Sequence, residues 1–396
     1  MAQRFPFIAS IPLGFEALAL AELQKLGAHL PGRSPLGLRF RANLHEVLFI
    51  ALHSRLCQRL LLSLGEFEAE GSQGLYEAAS AVPWEEYLTP ASTFCVEAKL
   101  RHSQHLHSGF VALKLKDALV DRMRQKYGSR PNVDPQNPQL RIVAWLYKNR
   151  LHLFLDLAGR PLGRRGYRSQ QGVAPLQEGL AAALLLWADY SPGEAFVDPM
   201  CGSGTLAIEA ALMALGRAPG LLKPMGVESW PSWGDKARPL LLELRREARL
   251  KEASACPPIV ARDIDEKLLH KARQNAKTAK VLQHIRFELG DATSAGPPGP
   301  SGLVGCNPPY GRRLETGGQK GMKAFYFKWG EAMKRWRGWR LAVVSGNPAF
   351  ESAFHWRPSK RMQIKNGPLD CQLLSYPAKA GFAGLQKKGE GDKNPG

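Results

Sequence analysis

From residue 174 onward the chain alternates between two hydrophobic periods, and this alternation limits the fold more than any other feature. Short apolar runs at 195–198 (AFVD), 258–263 (PIVARD), 285–290, 303–306 and 340–345 (RLAVVS) are interleaved with helical periodicity at 204–216, 265–280 and 321–336. In the helix expected at 265–280 the apolar stripe is Leu268, Leu269, Ala272, Ala276 and Ala279. Strands separated by helices cannot pair as tight hairpins, so each must cross back in the same direction. This predicts an α/β, doubly wound parallel sheet. The series ends differently. RMQIK (361–365) and LDCQLLSY (369–376) flank Asn366–Gly367, a dipeptide suited to a two-residue hairpin, so the sheet is expected to close with an antiparallel pair.

The first part of the chain reads as two smaller α+β units. One has a strand at 5–11, a helix at 14–27 closed by Gly27, a strand near 36–41 and a helix at 43–64. The other has a strand at 93–100, a basic helix at 109–127 and two strands, 140–147 and 151–157, around Lys148–Asn149–Arg150. The segment 159–173 (GRPLGRRGYRSQQGV) has no periodicity and reads as a linker. The expected divisions are therefore 1–65, 66–158, the basic linker 159–173, an α/β domain at 174–379 and a disordered Gly/Lys-rich tail at 380–396. A length of 396 residues suits several cores.

The formal charge is +19, and it is unevenly spread. Residues 1–100 carry 8 basic and 10 acidic side chains, whereas 101–170 carry 14 and 4. A field that switches on at one point along the chain suits a polyanion, and a solvated basic surface is the plainer alternative. No basic amphipathic helix or apolar run of about 18–20 residues points to a membrane, and the first residues lack a signal-peptide core. The six cysteines have no C-x-x-C pairing, which fits reduced, mostly buried thiols in a cytoplasmic protein. HSQHLH (102–107) has no second ligand cluster and reads as a polar loop, so no metal is expected.

Two loops carry the chemistry. In FVDPMCGSGT the acidic Asp198 ends a strand and two glycines open a helix. The spacing fits neither a dinucleotide fingerprint nor a P-loop, and an acidic residue there repels pyrophosphate while attracting an ammonium or sulfonium. Asp263 ends the next strand, where a carboxylate can take both ribose hydroxyls, while Asp265 fits a helix N-cap. Asp291 follows the third strand, placed to meet an adenine amine. Each carboxylate alone is ordinarily a cap or turn residue; three after successive strands are harder to dismiss. At the end of the fourth strand stands Asn307–Pro308–Pro309–Tyr310. Two prolines remove N–H donors and leave acceptors, which suits an exocyclic NH₂, and Tyr310 offers a face on which a flipped base can stack. In isolation the same four residues could be a rigid turn with a surface tyrosine. Cys201 and Cys306 lack a neighbouring base that would make either a nucleophile.

DPMCGSGT combined with NPPY resembles the class I amino-methyltransferases. FPFIASIPLGFEAL near the start, LKLKDALVDR (113–122), DLAGRPLGRRGYR (156–168) and APLQEGLAAALL (174–185) are further similar to the RlmL-type methyltransferases, over about residues 4–378. The resemblance implies a ferredoxin-like piece, a THUMP RNA-binding domain and a Rossmann-like catalytic domain. It implies S-adenosyl-L-methionine as cofactor, and N2-methylguanosine in 23S rRNA, free or in a ribosome assembly intermediate, as product. Carried over, Asp198, Gly202 and Gly204 meet the methionine end. Pro175 and Glu178 belong to a segment closing over the cofactor. Asp263 takes the ribose and Asp291 the adenine, with Pro199, Cys201, Thr205, Ile264, Ala292 and Asn307 completing the set. Asn307 to Tyr310 hold the target base. RNA contacts are expected from Lys114, Lys116 and Arg122, from Arg164, Arg165 and Arg168, and from Arg312 and Arg313. Ala158 replaces a usual Ser and Cys306 a common Thr, and neither change removes a catalytic group. Three alternatives stay open: an adenine N6-methyltransferase on RNA or DNA, a THUMP-type tRNA guanine-N2 methyltransferase, and an RNA-binding protein without catalysis.

Overall fold

A computed structural model describes residues 3–102, 107–168, 176–310 and 318–378. Residues 1–166 with 218–251 form one unit, and 167–217 with 252–396 another. Parts of the readings made above fall outside the described residues: Pro175, Arg312, Arg313, most of the 102–107 loop and the tail from 380.

The first unit is built on one eight-stranded sheet. Its elements are β1 (Phe5–Ser10), α1 (Glu16–Lys25), β2 (His29–Ser34), β3 (Gly37–Ala42), α2 (Leu44–His53), β4 (Arg59–Glu68), α3 (Gly71–Ser80), β5 (Thr93–Arg101), α4 (Ser108–Tyr127), β6 (Asn132–Val133), β7 (Leu140–Tyr147) and β8 (Arg150–Asp156). The strand order is β2-β3-β1-β4-β8-β7-β5-β6. The helix expected over 43–64 is corrected here. It stops at His53, and 59–68 is the central strand β4, antiparallel to both β1 and β8. An apolar run such as LLLSL suits helix or strand, and two flanking strands decide it. Because β4 spans residue 65, the expected division between the first two pieces falls inside a strand.

A buried charge cluster lies at one end of this sheet. Asp156, fully buried, takes a 2.7 Å ion pair from Arg59, which also reaches Glu97 at 3.2 Å. Arg141 pairs with Glu97 and donates to the Gly159 carbonyl at 2.9 Å. Burial pushes the Asp156 carboxyl up to about 6, against the pull of Arg59.

The second unit contains α5 (Glu178–Trp187), β9 (Phe196–Asp198) and α6 (Thr205–Ala214). The chain then leaves it for 218–251, where α7 (Gly234–Leu250) buries Ala237, Leu241, Leu244 and Ala248 and packs on α2 of the first unit. Periodicity alone did not reveal this excursion, which lies inside the span expected to be wholly catalytic. The second unit resumes with β10 (Ile259–Asp263), α8 (Glu266–Thr278), β11 (Arg286–Leu289), β12 (Gly302–Cys306), α9 (Gly318–Met333), β13 (Trp339–Ser345), α10 (Phe350–Phe354), β14 (Lys360–Asn366) and β15 (Leu369–Tyr376). The sheet order is β11-β10-β9-β12-β13-β15-β14. The first five strands in that order are parallel. β15 is antiparallel to β13 and forms with β14 the hairpin expected at Asn366–Gly367. Between β9 and β12 the chain order reverses, which opens a crevice at the carboxyl ends of those strands.

Replacing Arg59 by Met should strand a buried carboxylate and lower stability by about 3–5 kcal/mol at neutral pH, read from urea unfolding of the full chain; Asp156→Asn should cost less. The folded carboxyl is raised from 3.8 to about 6, so the folded chain binds this proton more tightly. The group's contribution to stability is thus greatest at low pH and falls as pH rises through that window, a slope that Asp156→Asn should remove.

Candidate active site

The crevice is lined by strand ends and by the loops that follow them. Asp198 closes β9 and is buried, the residue 2 % exposed. Its only described hydrogen bond is from the Met200 N–H, at 3.3 Å. Burial raises its pKa well above the ordinary carboxylate range, and the neighbouring Asp263 raises it further. Asp263 closes β10. Its two oxygens accept the Gly202 N–H at 2.7 Å and the Asp265 N–H at 3.0 Å, and burial pushes its pKa up as well. Asp263 thus shapes the glycine loop as well as facing the crevice. Asp265 caps α8 by accepting the Lys267 N–H at 2.8 Å, the structural role its position indicates.

The loop needs both glycines, for different reasons. Gly202 and Gly204 have φ of 53° and 82°, in the left-handed region. A Cβ on Gly202 would meet nothing within 4 Å, whereas one on Gly204 would lie 2.9 Å from the Ala272 Cβ of α8. Asn275, also on α8 and 5 % exposed, donates to the Ser203 carbonyl at 2.9 Å. Pro199, Cys201 and Thr205 are buried within the same turn. Burial lifts the Cys201 and Cys306 thiols well above their ordinary values, so neither is a ready thiolate.

The rest of the expected cofactor set falls at the same edge. Ile264 is 74 % exposed, an apolar side chain left bare beside Asp263. Asp291 accepts from the Thr293 N–H at 2.8 Å and its hydroxyl at 2.9 Å, leaving lone pairs on both oxygens, and Ala292 is buried behind it. Glu178, at the start of α5, is 5 % exposed, and no described residue donates to its carboxylate. Two nearly buried acids, Glu178 and Asp198, short of donors, fit a ligand that brings its own cationic centre.

Asn307–Pro308–Pro309–Tyr310 follows β12, the strand next to β9. Here the structure adds something the motif does not show. The Tyr310 hydroxyl donates to Asn307 Oδ1, the acceptor expected to receive a base amine. The Tyr310 ring lies over Gly346, where a Cβ would come within 3.0 Å of it. The Tyr326 hydroxyl donates to the Pro309 carbonyl at 2.6 Å. Tyr310 is therefore turned inward, one face covered, and its pKa is raised by burial. Tyr326 and Gly346 belong to no motif, and only their packing on NPPY reveals them.

Several expected RNA contacts need correction. Arg165 is 2 % exposed and donates to the Leu162 and Arg55 carbonyls at 2.8 and 2.7 Å. Arg168 donates to both the Leu176 carbonyl and the Thr205 hydroxyl, while Tyr167 bonds the buried Glu209 on α6 at 3.1 Å. Arg122 grips Glu85 with two bonds of 2.9 Å, holding that carboxyl well below its usual range. These three arginines hold structure together, because carbonyls and a carboxylate already take their donors. Lys114 lies over the Phe110 ring and Lys116 pairs with Asp117, both on α4, and Arg164 is exposed. Among the described residues no group of His, Cys, Asp or Glu is placed to hold a metal ion, and no described helix is long and apolar enough to cross a membrane.

A nucleotide-phosphate turn would present N–H groups to an anion, whereas this one presents buried carboxylates. The fold and crevice are those of a Rossmann-like methyltransferase, not of a dehydrogenase or a nucleoside triphosphatase. The family described as RMKL-like, methyltransferase domain, matches residues 165–375, with a THUMP domain at 72–156 and an RlmL ferredoxin-like domain at 6–61. The chain belongs to this RMKL-like methyltransferase family. It is 41% identical over 380 residues to the ribosomal RNA large subunit methyltransferase K/L of Syntrophotalea carbinolica, covering 93% of this chain and 53% of that protein. The chain thus spans about half the length of that relative. Among solved structures, SMU.472, described as a methyltransferase and crystallised with SAH, is 27% identical with a TM-score of 0.85, covering 96% of this chain and 99% of that one. A predicted N6-adenine-specific DNA methylase from Listeria monocytogenes is 29% identical with a TM-score of 0.84, covering 95% and 97%.

The two glycines should respond differently to alanine. Gly202→Ala should cost about 1–2 kcal/mol, the strain of a left-handed residue with a Cβ. Gly204→Ala adds a clash with α8 and should lower the thermal midpoint further. Equal losses would mean that α8 yields readily at Ala272.

Proposed function

We propose that this chain transfers a methyl group from S-adenosylmethionine to the exocyclic amine of a guanine in 23S rRNA, forming N2-methylguanosine. The observation that carries the reading is the adjacency of β9 and β12, which brings the acidic glycine loop and NPPY to one crevice. The family membership and the relative named as a large subunit rRNA methyltransferase support the substrate class. S-adenosylmethionine supplies an electrophilic methyl group on a sulfonium. Glu178 and Asp198, with Pro175 nearby in sequence, hold the charged methionine end. Asp263 takes the ribose hydroxyls, Asp291 the adenine amine, and Ile264 covers the adenine ring. Arg168 positions this site, tying Leu176 to Thr205 at the start of α6. Asn307 Oδ1 accepts from the target amine once Tyr310 has turned away, and that bond strengthens as the nitrogen gains positive charge. Much of the rate comes from holding the amine in line with the methyl group.

A second reading, transfer to the N6 amine of adenine, is favoured by the description of the Listeria protein. Both bases offer an NH₂ to Asn307. Purified chain, labelled S-adenosylmethionine and RNA from a strain lacking the gene separate the two by nucleoside analysis. Label is expected in N2-methylguanosine; label confined to N6-methyladenosine would sink the product while leaving the cofactor assignment intact. Asn307→Ala should abolish label in either case. Cys306→Ser should keep substantial activity, since no step uses a thiol.

Calorimetry should show S-adenosylmethionine binding that Asp198→Asn weakens by about ten-fold or more. The raised carboxyl of Asp198 means that a cationic ligand lowers its pKa and expels its proton. Affinity should therefore rise with pH, and the binding enthalpy should track the ionisation heat of the buffer. An enthalpy independent of buffer would show that Asp198 is already ionised.

A further inference from the structure

The loop after β13 leads from the NPPY crevice to a second recess of the second unit. Gly346 lies under the Tyr310 ring. From there the loop is held tightly. The Asn347 N–H donates to the Ser345 hydroxyl at 3.2 Å, and Asn347 Oδ1 accepts the Ala349 N–H at 2.9 Å. Pro348 follows Gly346 by two residues, so the two lie within about 7 Å of each other. Pro348 is one wall of an open cleft of about 550 Å³, bounded by α10, the turn after it and the start of β14. His355 ends α10 with a φ of 59°, a left-handed conformation in which histidine is among the better tolerated side chains. Its exposed ring stands edge-on to Phe327 of α9, centroids 5.4 Å apart, and Phe327 is itself 50 % exposed. Trp356 is half-buried. It packs against Phe354 and Tyr376, and its remaining surface lines the cleft. Glu351 is the one acid in the lining, and Arg361 pairs with it. Arg357 is exposed, and no described residue pairs with it.

We infer that this cleft holds a nucleotide of the RNA substrate beside the one whose base is methylated. An aromatic surface next to an unneutralised guanidinium is the pairing that single-stranded RNA requires. The rings of His355 and Trp356 take the face of a base, and the Arg357 fork takes a phosphate. The one carboxylate in the cleft is already answered by Arg361, so it does little to repel that phosphate. The volume falls in the range of sites that hold a nucleotide-sized ligand. Position selects a strand of RNA over a free nucleotide or a protein. A base turned out of its stack to reach Asn307 leaves its own chain at the rim of the crevice. That rim continues through Gly346 and Pro348 into the cleft. The inference rests on the reading of the chain as an RNA methyltransferase, and adds where the substrate strand is held outside the target base.

The test uses the full chain, labelled S-adenosylmethionine and a 23S rRNA transcript. Arg357→Gln removes the unpaired guanidinium. His355→Asn removes the ring and keeps a residue that accepts the left-handed turn. Each should raise the KM for the transcript, by ~5-fold where a stacked ring is lost. The fall in kcat should be smaller, with S-adenosylmethionine affinity and the thermal midpoint unchanged. Across a potassium chloride series, Arg357→Gln should also flatten the plot of log affinity against log salt by ~0.7, the share of one phosphate contact on a single strand. If wild type methylates the transcript and both variants keep its KM and salt slope, the cleft does not hold RNA, and the methyltransferase reading stands without it. If wild type neither binds nor methylates the transcript, the RNA reading fails and the cleft assignment fails with it.

Discussion

The second unit is organised around two carboxylates brought out of water side by side. Asp198 and Asp263 end adjacent parallel strands; burial raises the pKa of both, and Asp263 raises that of Asp198 further. Two like charges in a low-dielectric crevice are unfavourable unless donors or a cation meet them. Among the described residues donors are sparing: Asp198 accepts the Met200 N–H, while Asp263 accepts backbone N–H groups from Gly202 and Asp265. Much of the local geometry follows from delivering those N–H groups. Gly202 must turn left-handed to reach Asp263, Gly204 must lack a Cβ so that α6 can pass α8, and Asn275 must hold the loop at Ser203. The remaining electrostatic demand is left for a ligand, and this makes the site selective for a cationic one.

The segment joining the two expected halves is better understood as two anchors than as a tether. Its first part is bonded into the first unit through Leu162, Arg165 and the backbone pairing with 226–227. Its last described residues, Tyr167 and Arg168, are bonded into the second through Glu209 and Thr205 on successive turns of α6. Arginines that looked like a phosphate comb in the sequence therefore divide by role. Arg165 and Arg168 are structural, and Arg164 remains at the surface. Exposure, which a sequence does not report, makes the difference.

What the sequence made legible was whatever local chemistry forces. The parallel sheet, the Asn366–Gly367 hairpin, the Asp265 cap and the shared edge of the two motifs all follow from period, turn residues and order of elements. What it hid was set by tertiary competition. β4 reads as helix because its apolar run has no strict alternation, and only β1 and β8 on either side make it a strand. α7 has a strong amphipathic pattern, but a pattern does not say which unit an apolar face will join. Arg122 sits in a basic helix, yet Glu85, far upstream, takes its charge. Long-range pairing of this sort leaves no mark on spacing.

On the proposed reading, the inward Tyr310 would bear on how the crevice tells a base from water. An amide oxygen as partly buried as that of Asn307 is costly to leave unpaired, and the motif's own hydroxyl satisfies it. A target amine, as proposed above, would exchange one hydrogen bond for another, so that contact alone would add little net affinity. Selectivity would then come from what accompanies the exchange: release of the ring from Gly346 and stacking of the freed tyrosine on the proposed incoming base. A purine with its amine in reach can offer both at once, and water can offer only the hydrogen bond. On that proposal, the acceptor shared by guanine and adenine would act as a gate for a flat amine-bearing ring. The choice between the two bases falls to groups that read the neighbouring ring nitrogen, where guanine presents a donor and adenine an acceptor.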